Sequence, residues 1–239
     1  MEILGIIPAR SGSTGVKHKN VRDLGGKPLM SYTIEAAKRS GLSRVILSTD
    51  SQDYAEVGKK YGVDVPFLRP PEFASVNATA MSVIHHALQF FEQEESWRPD
   101  AVLYLQPTSP FRRTERIDEA IEAMRNNPQA DSVISVRDIS DHPYYMFVPH
   151  GDDSRVLRPY VDIENRPERR QDLPQYFTLN DNILMSRTDY LLKPGNEAGL
   201  IINLDNFAPV YIDDNEFIDI NTERDFLWAE FVMEQLKGK

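Results

Sequence analysis

A loop rich in cations follows the first apolar run of the sequence. Pro8 ends this run, and residues 9–20 then combine glycine, serine and positive charge. Gly12 and Gly15 permit backbone conformations that other residues avoid, while guanidinium and ammonium groups bind phosphate oxygens strongly. An apolar strand that leads into such a loop is typical of a phosphate-binding site. We therefore predict that residues 9–20, the phosphate loop, bind an anion through the cations Arg10, Lys17 and Lys19.

The distribution of charge supports this prediction. Between Ile3 and Pro28 the sequence holds five cations and the single acid Asp23, although the whole chain carries a formal net charge of -10. The connection from Pro8 to Lys27 is also several times longer than the roughly 2 to 6 residues usual between a strand and a helix. It is not a Walker loop, because Pro28 stands where serine or threonine is needed, and it lacks the dinucleotide-binding glycine spacing. The alternative is a solvated surface loop.

Two other polar residues stand beside predicted elements. Gln106 directly follows the apolar run 101–105, at a strand end where α/β folds place their sites, although such a residue alone is more typical of a turn. Asp219 lies just before the last predicted helix, where the helix dipole favours an acid even without a function. No set of His, Asp and Glu has the spacing of a closed metal site. We therefore expect any metal to be held with the help of substrate phosphates, as magnesium is.

Apolar runs and amphipathic segments alternate along most of the chain. Strands are predicted at residues 3–8, 44–50, 63–68, 101–105, 132–136, 176–186 and 208–212, and helices at 28–41, 51–61, 80–95, 115–126 and from about 222. This alternation predicts an α/β fold with a mainly parallel sheet and helices on both faces, a three-layer αβα arrangement. Ligands of such folds collect at the carboxyl ends of the strands. The last helix is predicted to bury Phe226, Ala229, Val232, Met233 and Leu236.

The alternation fails between residues 137 and 175. Prolines and charges of both signs interrupt this stretch, which is too poor in apolar residues for a core of its own. We predict one domain over residues 1–239, with 137–175 as an insertion. Ordered loops of this length are usually functional or interfacial. The apolar residues at 144–148 form a patch that a second subunit could cover.

Composition excludes several classes of protein. The chain has 37 acidic and 27 basic residues, and this acidic balance argues against a nucleic-acid binder. It has no cysteine, which excludes disulfides, thiolate metal sites and cysteine nucleophiles and fits a reducing compartment. We find no secretory signal and no apolar stretch of the length of a membrane span. The expected location is the cytoplasm, without a membrane partner.

Five motifs resemble those of the acylneuraminate cytidylyltransferase family, which includes the CMP-sialic, CMP-legionaminic and CMP-pseudaminic acid synthetases. Together they span nearly the whole chain, in the order and spacing of that family. They are Ile6-Ile7-Pro8-Ala9-Arg10-Ser11-Gly12-Ser13 with Lys19-Asn20, Gly26-Lys27-Pro28-Leu29, Leu105-Gln106-Pro107-Thr108-Ser109-Pro110, Arg170-Gln171-Asp172-Leu173-Pro174 and Ile218-Asp219-Ile220-Asn221-Thr222.

The resemblance implies a nucleotidyltransferase that joins CMP from CTP to the anomeric hydroxyl of a nine-carbon 2-keto sugar acid, with release of pyrophosphate and with Mg²⁺ as cofactor. It also implies a homodimer in which the insertion is the dimerisation segment and reaches the partner's active site. It implies catalytic roles for Arg10, Lys19 and Asp219. The implied nucleotide contacts are Arg10, Ser11, Gly12, Ser13, Lys17, Lys19, Asn20, Arg69 and Thr79, the sugar contacts are Gln106, Asn180 and Asp181, and the metal ligands are Asp219 and Asn221.

Two departures from the family pattern bear on the substrates. Asn221, a neutral ligand, stands where many members have a second aspartate, and it would hold magnesium less strongly. The segment Asn180-Asp181-Asn182 stands where sialic acid synthetases often have Asn-Gly-Ala, so larger polar groups are expected near the sugar. This favours related acids such as legionaminic, pseudaminic or deaminated neuraminic acid. The alternatives are the same chemistry with the eight-carbon sugar Kdo or with GTP, and a non-catalytic nucleotide-sugar binding protein.

Overall fold

Strands and helices alternate along the chain in the computed structural model, which describes residues 1–12, 15–75, 77–151, 153–162, 164, 167–196, 199–213 and 216–237. The strands are β1 (Ile3–Pro8), β2 (Asp23–Leu24), β3 (Lys27–Pro28), β4 (Arg44–Ser48), β5 (Ala101–Tyr104), β6 (Ser132–Asp138), β7 (Phe147–His150), β8 (Asp153–Pro159), β9 (Phe177–Arg187) and β10 (Phe207–Tyr211). The helices are α1 (Leu29–Arg39), α2 (Gln52–Lys60), α3 (Ala80–Glu95), α4 (Thr114–Asn126), α5 (Thr188–Leu191) and α6 (Glu223–Lys237).

The central sheet has six strands in the order β10-β6-β9-β5-β1-β4. Strand β1 pairs in parallel with both β4 and β5, and β9 pairs antiparallel with β5. The sheet is therefore mixed and mostly parallel, with helices on both faces, which confirms the predicted fold class. The strand predicted at 63–68 is wrong as a strand, because only two isolated bridges form there, at Asp64 and Leu68. Pro66 within this segment cannot donate a hydrogen bond to a ladder.

Successive residues of the strands point to opposite faces of the sheet and are buried in two separate hydrophobic cores. On one face, Ile3 and Ile7 of β1 pack with residues of α1, α2 and α4. On the other face, Leu4 and Ile6 of the same strand pack with α3 and α5. A buried parallel strand needs apolar residues on both faces, which accounts for the unbroken apolar run at the start of the sequence. This sandwich fixes the carboxyl ends of β1 and β5, from which the site residues project.

A third, smaller core ties the phosphate loop to the end of the chain. Val16 of the loop is buried with Leu24 and Leu29, and these residues pack with Ile218, Ile220, Phe226 and Ala229. The apolar residues at 218 and 220 flank Asp219, so their burial brings that acid toward the loop. Of the residues predicted to line α6, Phe226 and Ala229 are buried, but Leu236 is exposed, which makes that part of the prediction wrong.

The chain divides into two compact units, Met1–Ser135 with Asn180–Lys239, and Val136–Leu179. The second unit contains the hairpin of β7 and β8. Its exposed apolar side chains include Phe147, Leu157 and Tyr160, which are 57%, 57% and 61% exposed. His142 of this unit stacks on Tyr144 and bonds the Pro174 carbonyl.

Candidate active site

A cavity of about 390 Å³ opens at the carboxyl ends of β1 and β5. It belongs to the larger of the two units. Cations and amides dominate its polar wall, and tyrosine, phenylalanine and proline form the rest. The lining residues are Pro8, Arg10, Gly15, Lys19, Asn20, Arg69, Phe73, Ala78, Val83, Tyr104, Gln106, Pro107, Thr108 and Asn221. The cavity thus brings together six of the residues predicted from the sequence, namely Arg10, Lys19, Asn20, Arg69, Gln106 and Asn221.

The phosphate loop is closed by hydrogen bonds from its own residues. Asn20 is 5% exposed and lies in a short 3-10 helix, Lys19–Val21, from which its amide donates to the Arg10 carbonyl at 3.1 Å. At the start of the loop, the amide and hydroxyl of Ser11 both donate to the Asp50 carboxylate, at 2.8 and 2.9 Å. Gly12 and Lys17 are exposed. Ser13 lies outside the described residues.

Lys19 joins the loop to the segment that carries Asp219. Its ammonium donates to the Ile220 carbonyl at 2.6 Å. Burial lowers the pKa of Lys19, while the neighbouring Asp219 carboxylate opposes that shift and Arg10 adds to it. A partly desolvated ammonium attracts an anion more strongly than an exposed one. Lys19 therefore presents a concentrated positive charge at the cavity wall.

Residues 218–222, the metal segment, are fixed on both sides. The Ile220 amide donates to the Thr108 carbonyl at 2.9 Å. At the start of α6, Thr222 and Asp225 form a capping box, in which each side chain accepts a hydrogen bond from the other residue's backbone amide. The Asn221 carbonyl lies directly against Gly15. These contacts leave the segment little freedom to move.

Of the two carboxylate oxygens of Asp219, one accepts a hydrogen bond and the other has no partner among the described residues. Oδ2 accepts a hydrogen bond from the Asn221 amide at 2.5 Å, whereas the buried Oδ1 has no partner among the described residues. A buried unpaired carboxylate oxygen is costly, and a bound cation would satisfy it. The described residues contain no group of three or more His, Asp or Glu able to hold a metal. This arrangement fits Mg²⁺, which usually takes one or two protein ligands and completes its shell with phosphates and water.

Two arginines and the ring of Tyr104 also line the cavity. Arg10 donates to the Ser75 carbonyl at 3.0 Å. Arg69 is 5% exposed and donates to the Ser48 carbonyl, but its Nε has no partner in the described part of the chain. Burial lowers the pKa of Arg69 and raises the pKa of Tyr104 to about 12, so Tyr104 stays a neutral hydroxyl at physiological pH. Thr79 does not line the cavity; it caps α3 by accepting a bond from the Ser82 amide.

Gln106 and Asp181 meet beside the cavity. The Gln106 amide donates to the Asp181 carboxylate at 3.1 Å. Burial and the nearby Asp219 carboxylate raise the pKa of Asp181, while Gln106 and Arg112 oppose this shift. Asn180 uses its side chain within the structure, since it accepts from the Asn182 amide and donates to the Phe217 carbonyl. Gln106 and Asp181 are therefore placed as a pair, and Asn180 is placed as a support of β9.

Asp50, Thr108 and Arg112 did not emerge as site residues from the sequence, and Gly15 emerged only as a conformationally permissive position of the phosphate loop. Asp50 fixes Ser11, Thr108 fixes Ile220, Gly15 touches Asn221, and the buried Arg112 bonds the Gln106 carbonyl. Asp50 could have been identified from the sequence, because it ends the strand predicted at 44–50, at the edge of the sheet where ligands collect. Nothing in the sequence identifies Arg112 as a site residue. It is one of two adjacent arginines between a proline-rich segment and a helix, and such arginines are usually exposed.

Comparison with known proteins identifies the family. A family model described as cytidylyltransferase matches residues 4–173. This chain belongs to the cytidylyltransferase family. Among its curated relatives, a CMP-N,N'-diacetyllegionaminic acid synthase of Legionella pneumophila is 34% identical over 98% of this chain and 97% of its own length. An N-acylneuraminate cytidylyltransferase of Escherichia coli is 34% identical over all of this chain, which spans 53% of that relative's length.

A further relative and a solved structure are consistent with membership of this family. A pseudaminic acid cytidylyltransferase of Campylobacter jejuni is 37% identical over 53% of this chain and 55% of its own length. A solved structure of CMP:2-keto-3-deoxy-manno-octonic acid synthetase with CTP superimposes with a TM-score of 0.70 at 17% identity, covering 99% of this chain and 100% of the other. That likeness shows the fold. In the described part of this cytidylyltransferase, no helix is long and apolar enough to cross a membrane.

Proposed function

We propose that this cytidylyltransferase transfers CMP from CTP to the anomeric hydroxyl of a nine-carbon 2-keto sugar acid of the sialic acid type and releases pyrophosphate. The observation that carries this proposal is the position of Lys19, whose half-buried ammonium lies between the phosphate loop and the segment of Asp219. The cavity thus offers cations for a triphosphate, and Asp219, which does not line it, lies beside Lys19 and Asn221 as a carboxylate for a metal ion. The names of the relatives from Legionella, Escherichia and Campylobacter support the choice of nucleotide and of sugar.

The chemistry follows from charge and geometry. The anomeric oxygen forms a bond to the α-phosphorus of CTP, the bond from that phosphorus to the bridging oxygen breaks, and pyrophosphate leaves while the hydroxyl proton passes to water or a base. An anionic phosphate repels an oxygen nucleophile, so catalysis requires nearby cations and an in-line approach. Arg10 and Lys19 supply positive charge at the loop. Arg69, whose Nε has no partner among the described residues, supplies a further donor at the cavity.

Magnesium is proposed as the cofactor, held by Asp219 and Asn221. When bound, it would offset charge on the triphosphate oxygens. The free Oδ1 of Asp219 supports this role, and Asn221 would have to turn its amide so that its oxygen rather than its nitrogen faces the ion. Because an amide oxygen carries no full charge, this pair should bind magnesium more weakly than two carboxylates would.

The proposed sugar contacts are Gln106 and Asp181, with Asn180 as their support. A carboxylate such as Asp181 accepts hydrogen bonds and repels anions, so it suits a hydroxyl or an acetamido N–H of the sugar rather than its carboxylate. Asn182 is buried and donates to the Glu216 carbonyl, so it braces the chain next to the metal segment. A carboxylate in this position favours legionaminic, pseudaminic or deaminated neuraminic acid as the substrate.

We further propose a homodimer in which residues 137–175 form the dimerisation segment. The exposed Phe147, Leu157 and Tyr160 of the smaller unit support this, because apolar side chains grouped on one surface commonly mark a protein interface. Light scattering coupled to gel filtration tests the dimer, and a Leu157→Asp variant should shift the mass toward that of one chain. The cytoplasm stays a prediction for the location of the reaction.

One assay tests the proposed reaction. Pyrophosphate release is measured with each nucleoside triphosphate against a panel of legionaminic, pseudaminic, N-acetylneuraminic and deaminated neuraminic acids and Kdo, with and without Mg²⁺. We expect release with CTP and a nine-carbon acid only. Turnover confined to Kdo or to GTP would replace the proposed substrates. Nucleotide binding without any turnover would identify a non-catalytic nucleotide-sugar binding protein instead.

A further inference from the structure

Arg112 is a buried cation that joins three segments of the chain. The side chain is 4% exposed and donates three directional hydrogen bonds. Its Nε donates to the Asn182 carbonyl of β9 at 2.7 Å, its Nη1 to the Thr33 hydroxyl of α1 at 3.0 Å, and its Nη2 to the Gln106 carbonyl after β5 at 3.0 Å. The planar guanidinium thus fixes these three elements relative to one another.

None of these three acceptors is a carboxylate. Over the described ranges of the chain, no acid lies within ion-pair distance of the Arg112 guanidinium. Burial lowers the pKa of Arg112, while the more distant Asp219 and Asp181 oppose that shift. An arginine nevertheless stays protonated at neutral pH. A buried cation without an ion pair destabilises the fold, so a functional reason for its position is to be expected.

The acceptors of Arg112 lead directly to the proposed sugar contacts. Gln106 has its carbonyl held by Arg112 and its side-chain amide bonded to Asp181. Asn182, whose carbonyl Arg112 also holds, is the residue after Asp181 in β9. A rotation of either backbone segment would separate Gln106 from Asp181. The pair therefore depends in part on the Arg112 guanidinium, which makes a shorter bond to the Gln106 carbonyl than the Ser109 amide or the Thr33 hydroxyl does.

The charge of Arg112 bears on the same end of the site. A sugar acid brings a carboxylate toward a region that already holds Asp181 and Asp219, and like charges repel. A desolvated cation is less screened than an exposed one and acts over a longer distance. Arg112 is placed to offset part of this repulsion without touching the substrate.

We propose that Arg112 is a positioning residue for the sugar acid: it fixes the Gln106–Asp181 pair through the backbone and offsets the negative charge of the sugar end. The inference rests on the proposed function and adds to it a residue that acts at one substrate only. Nucleotide binding, which involves the phosphate loop, should depend little on Arg112.

The test compares Arg112→Lys and Arg112→Gln with a matched arginine at the end of β9. Arg187 of β9 also donates three hydrogen bonds, all to backbone carbonyls, those of Ala130, Met124 and Asn127, and it does not line the cavity. Arg187→Lys thus loses comparable bonds at a distance from the site. For each variant, KM for CTP, KM for the sugar acid, kcat and melting temperature are measured.

Arg112→Lys keeps the charge but loses the planar fork, so KM for the sugar acid should rise about tenfold, as expected for one or two lost hydrogen bonds. Arg112→Gln also loses the charge and should raise it further, to about 10²-fold. In both variants KM for CTP should stay within about twofold of the wild-type value, since CTP binding lies outside the Gln106–Asp181 pair. Arg187→Lys should lower the melting temperature and leave both KM values unchanged.

Equal changes in both KM values, or the same sugar effect in Arg187→Lys, would overturn the inference while the proposed function stands. If the Arg112 variants do not fold, Thr33→Val removes the hydroxyl that accepts from Arg112 at 3.0 Å and donates to the Gln106 carbonyl at 3.5 Å. This variant should still raise KM for the sugar acid alone, and an unchanged KM would overturn the inference. A wild-type chain that turns over no sugar acid with CTP would overturn the proposed function and this inference together.

Discussion

Gly15 lies so close to Asn221 that a β-carbon on Gly15 would collide with the Asn221 carbonyl oxygen. The phosphate loop and the metal segment therefore touch through their backbones, and only glycine allows this approach. Val16, the next residue, is buried with Ile220. The segments proposed to bind phosphate and metal are therefore in direct contact at Gly15 and Asn221, as they are through Lys19 and Val16.

Gly15→Ala should reduce kcat/KM by about 10²-fold, because a displacement of about 1 Å at a reacting centre has effects of that size. The methyl group would push the loop away from Asn221, whose carbonyl has no flexible end to move aside. Steady-state kinetics with CTP and the sugar acid measure this. Gly41→Ala is the control, since a β-carbon there meets its nearest atom at 3.5 Å. Equal activity of the two variants would contradict the importance of the contact.

Asp50→Ala should weaken CTP binding about tenfold. The carboxylate accepts both the amide and the hydroxyl proton of Ser11, and the loss of bonds to a charged acceptor releases the start of the phosphate loop. Calorimetric titration with CTP measures the affinity. Asp53→Ala, an exposed acid in the first turn of α2, is the control and should bind CTP normally. Tighter binding by Asp50→Ala would show instead that Asp50 competes with phosphate for the donors of Ser11.

Lys19→Ala should lower kcat by about 10²- to 10³-fold, the usual loss when one donor to a developing negative charge is removed. The melting temperature should change little by comparison, because the side chain makes one described hydrogen bond. Stopped assays of CMP transfer give the rate. Lys60→Ala on α2 controls for loss of an exposed charge. An unchanged turnover number would remove Lys19 from the mechanism.

The pH dependence follows from the same residue. Burial lowers the pKa of Lys19 below the 10.5 of an ordinary lysine, against the pull of Asp219 and Asp225 and with the help of Arg10. Lys19 is charged below its pKa and neutral above it, so activity should fall as pH rises, and should begin to fall at a lower pH than an exposed lysine would give. Lys19→Arg should retain activity at higher pH. A pH profile that is identical in both proteins would assign the alkaline loss to another group.

Asp219→Ala should abolish activity or make it insensitive to magnesium, because the free Oδ1 is the proposed metal ligand. Asn221→Asp tests the same site in the opposite direction. A second carboxylate adds charge at the ion, so the Mg²⁺ concentration for half-maximal activity should fall about tenfold. Magnesium titrations of both variants decide this. Normal magnesium dependence in Asp219→Ala would exclude Asp219 as a ligand.

The sequence was sufficient to predict the elements whose signals are local. Helix α3 has the predicted bounds, because its apolar residues repeat at helical spacing and Thr79 caps it. The apolar runs of β1 and β5 likewise predicted these two strands. The four-residue helix α5 was missed, because it is too short to show a periodic pattern. Leu236 follows the helical pattern of α6 but remains exposed, since no other element covers that part of the helix among the described residues.

The site was predictable only in part, for a physical reason. The positions of Arg10, Lys19 and Gln106 follow from strand ends, which sequence patterns locate. The bonds that fix them join residues far apart, such as Ser11 with Asp50 and Arg112 with Asn182. Such pairs depend on how elements pack, and packing is not encoded in any single stretch of sequence. The roles of the site residues, including Thr79 and Asn180, stay predictions.

The bond from Lys19 to Ile220 spans 201 residues of sequence. The metal segment follows every strand that the structure describes, so during synthesis it leaves the ribosome after the sheet has been made. A nascent chain could fold its sheet and still be inert, because the acid beside Lys19 would be missing and the phosphate loop would lack its buried contacts with Ile218 and Ile220. Catalytic competence would then arise in a single late step, the docking of residues 218–222 onto the phosphate loop.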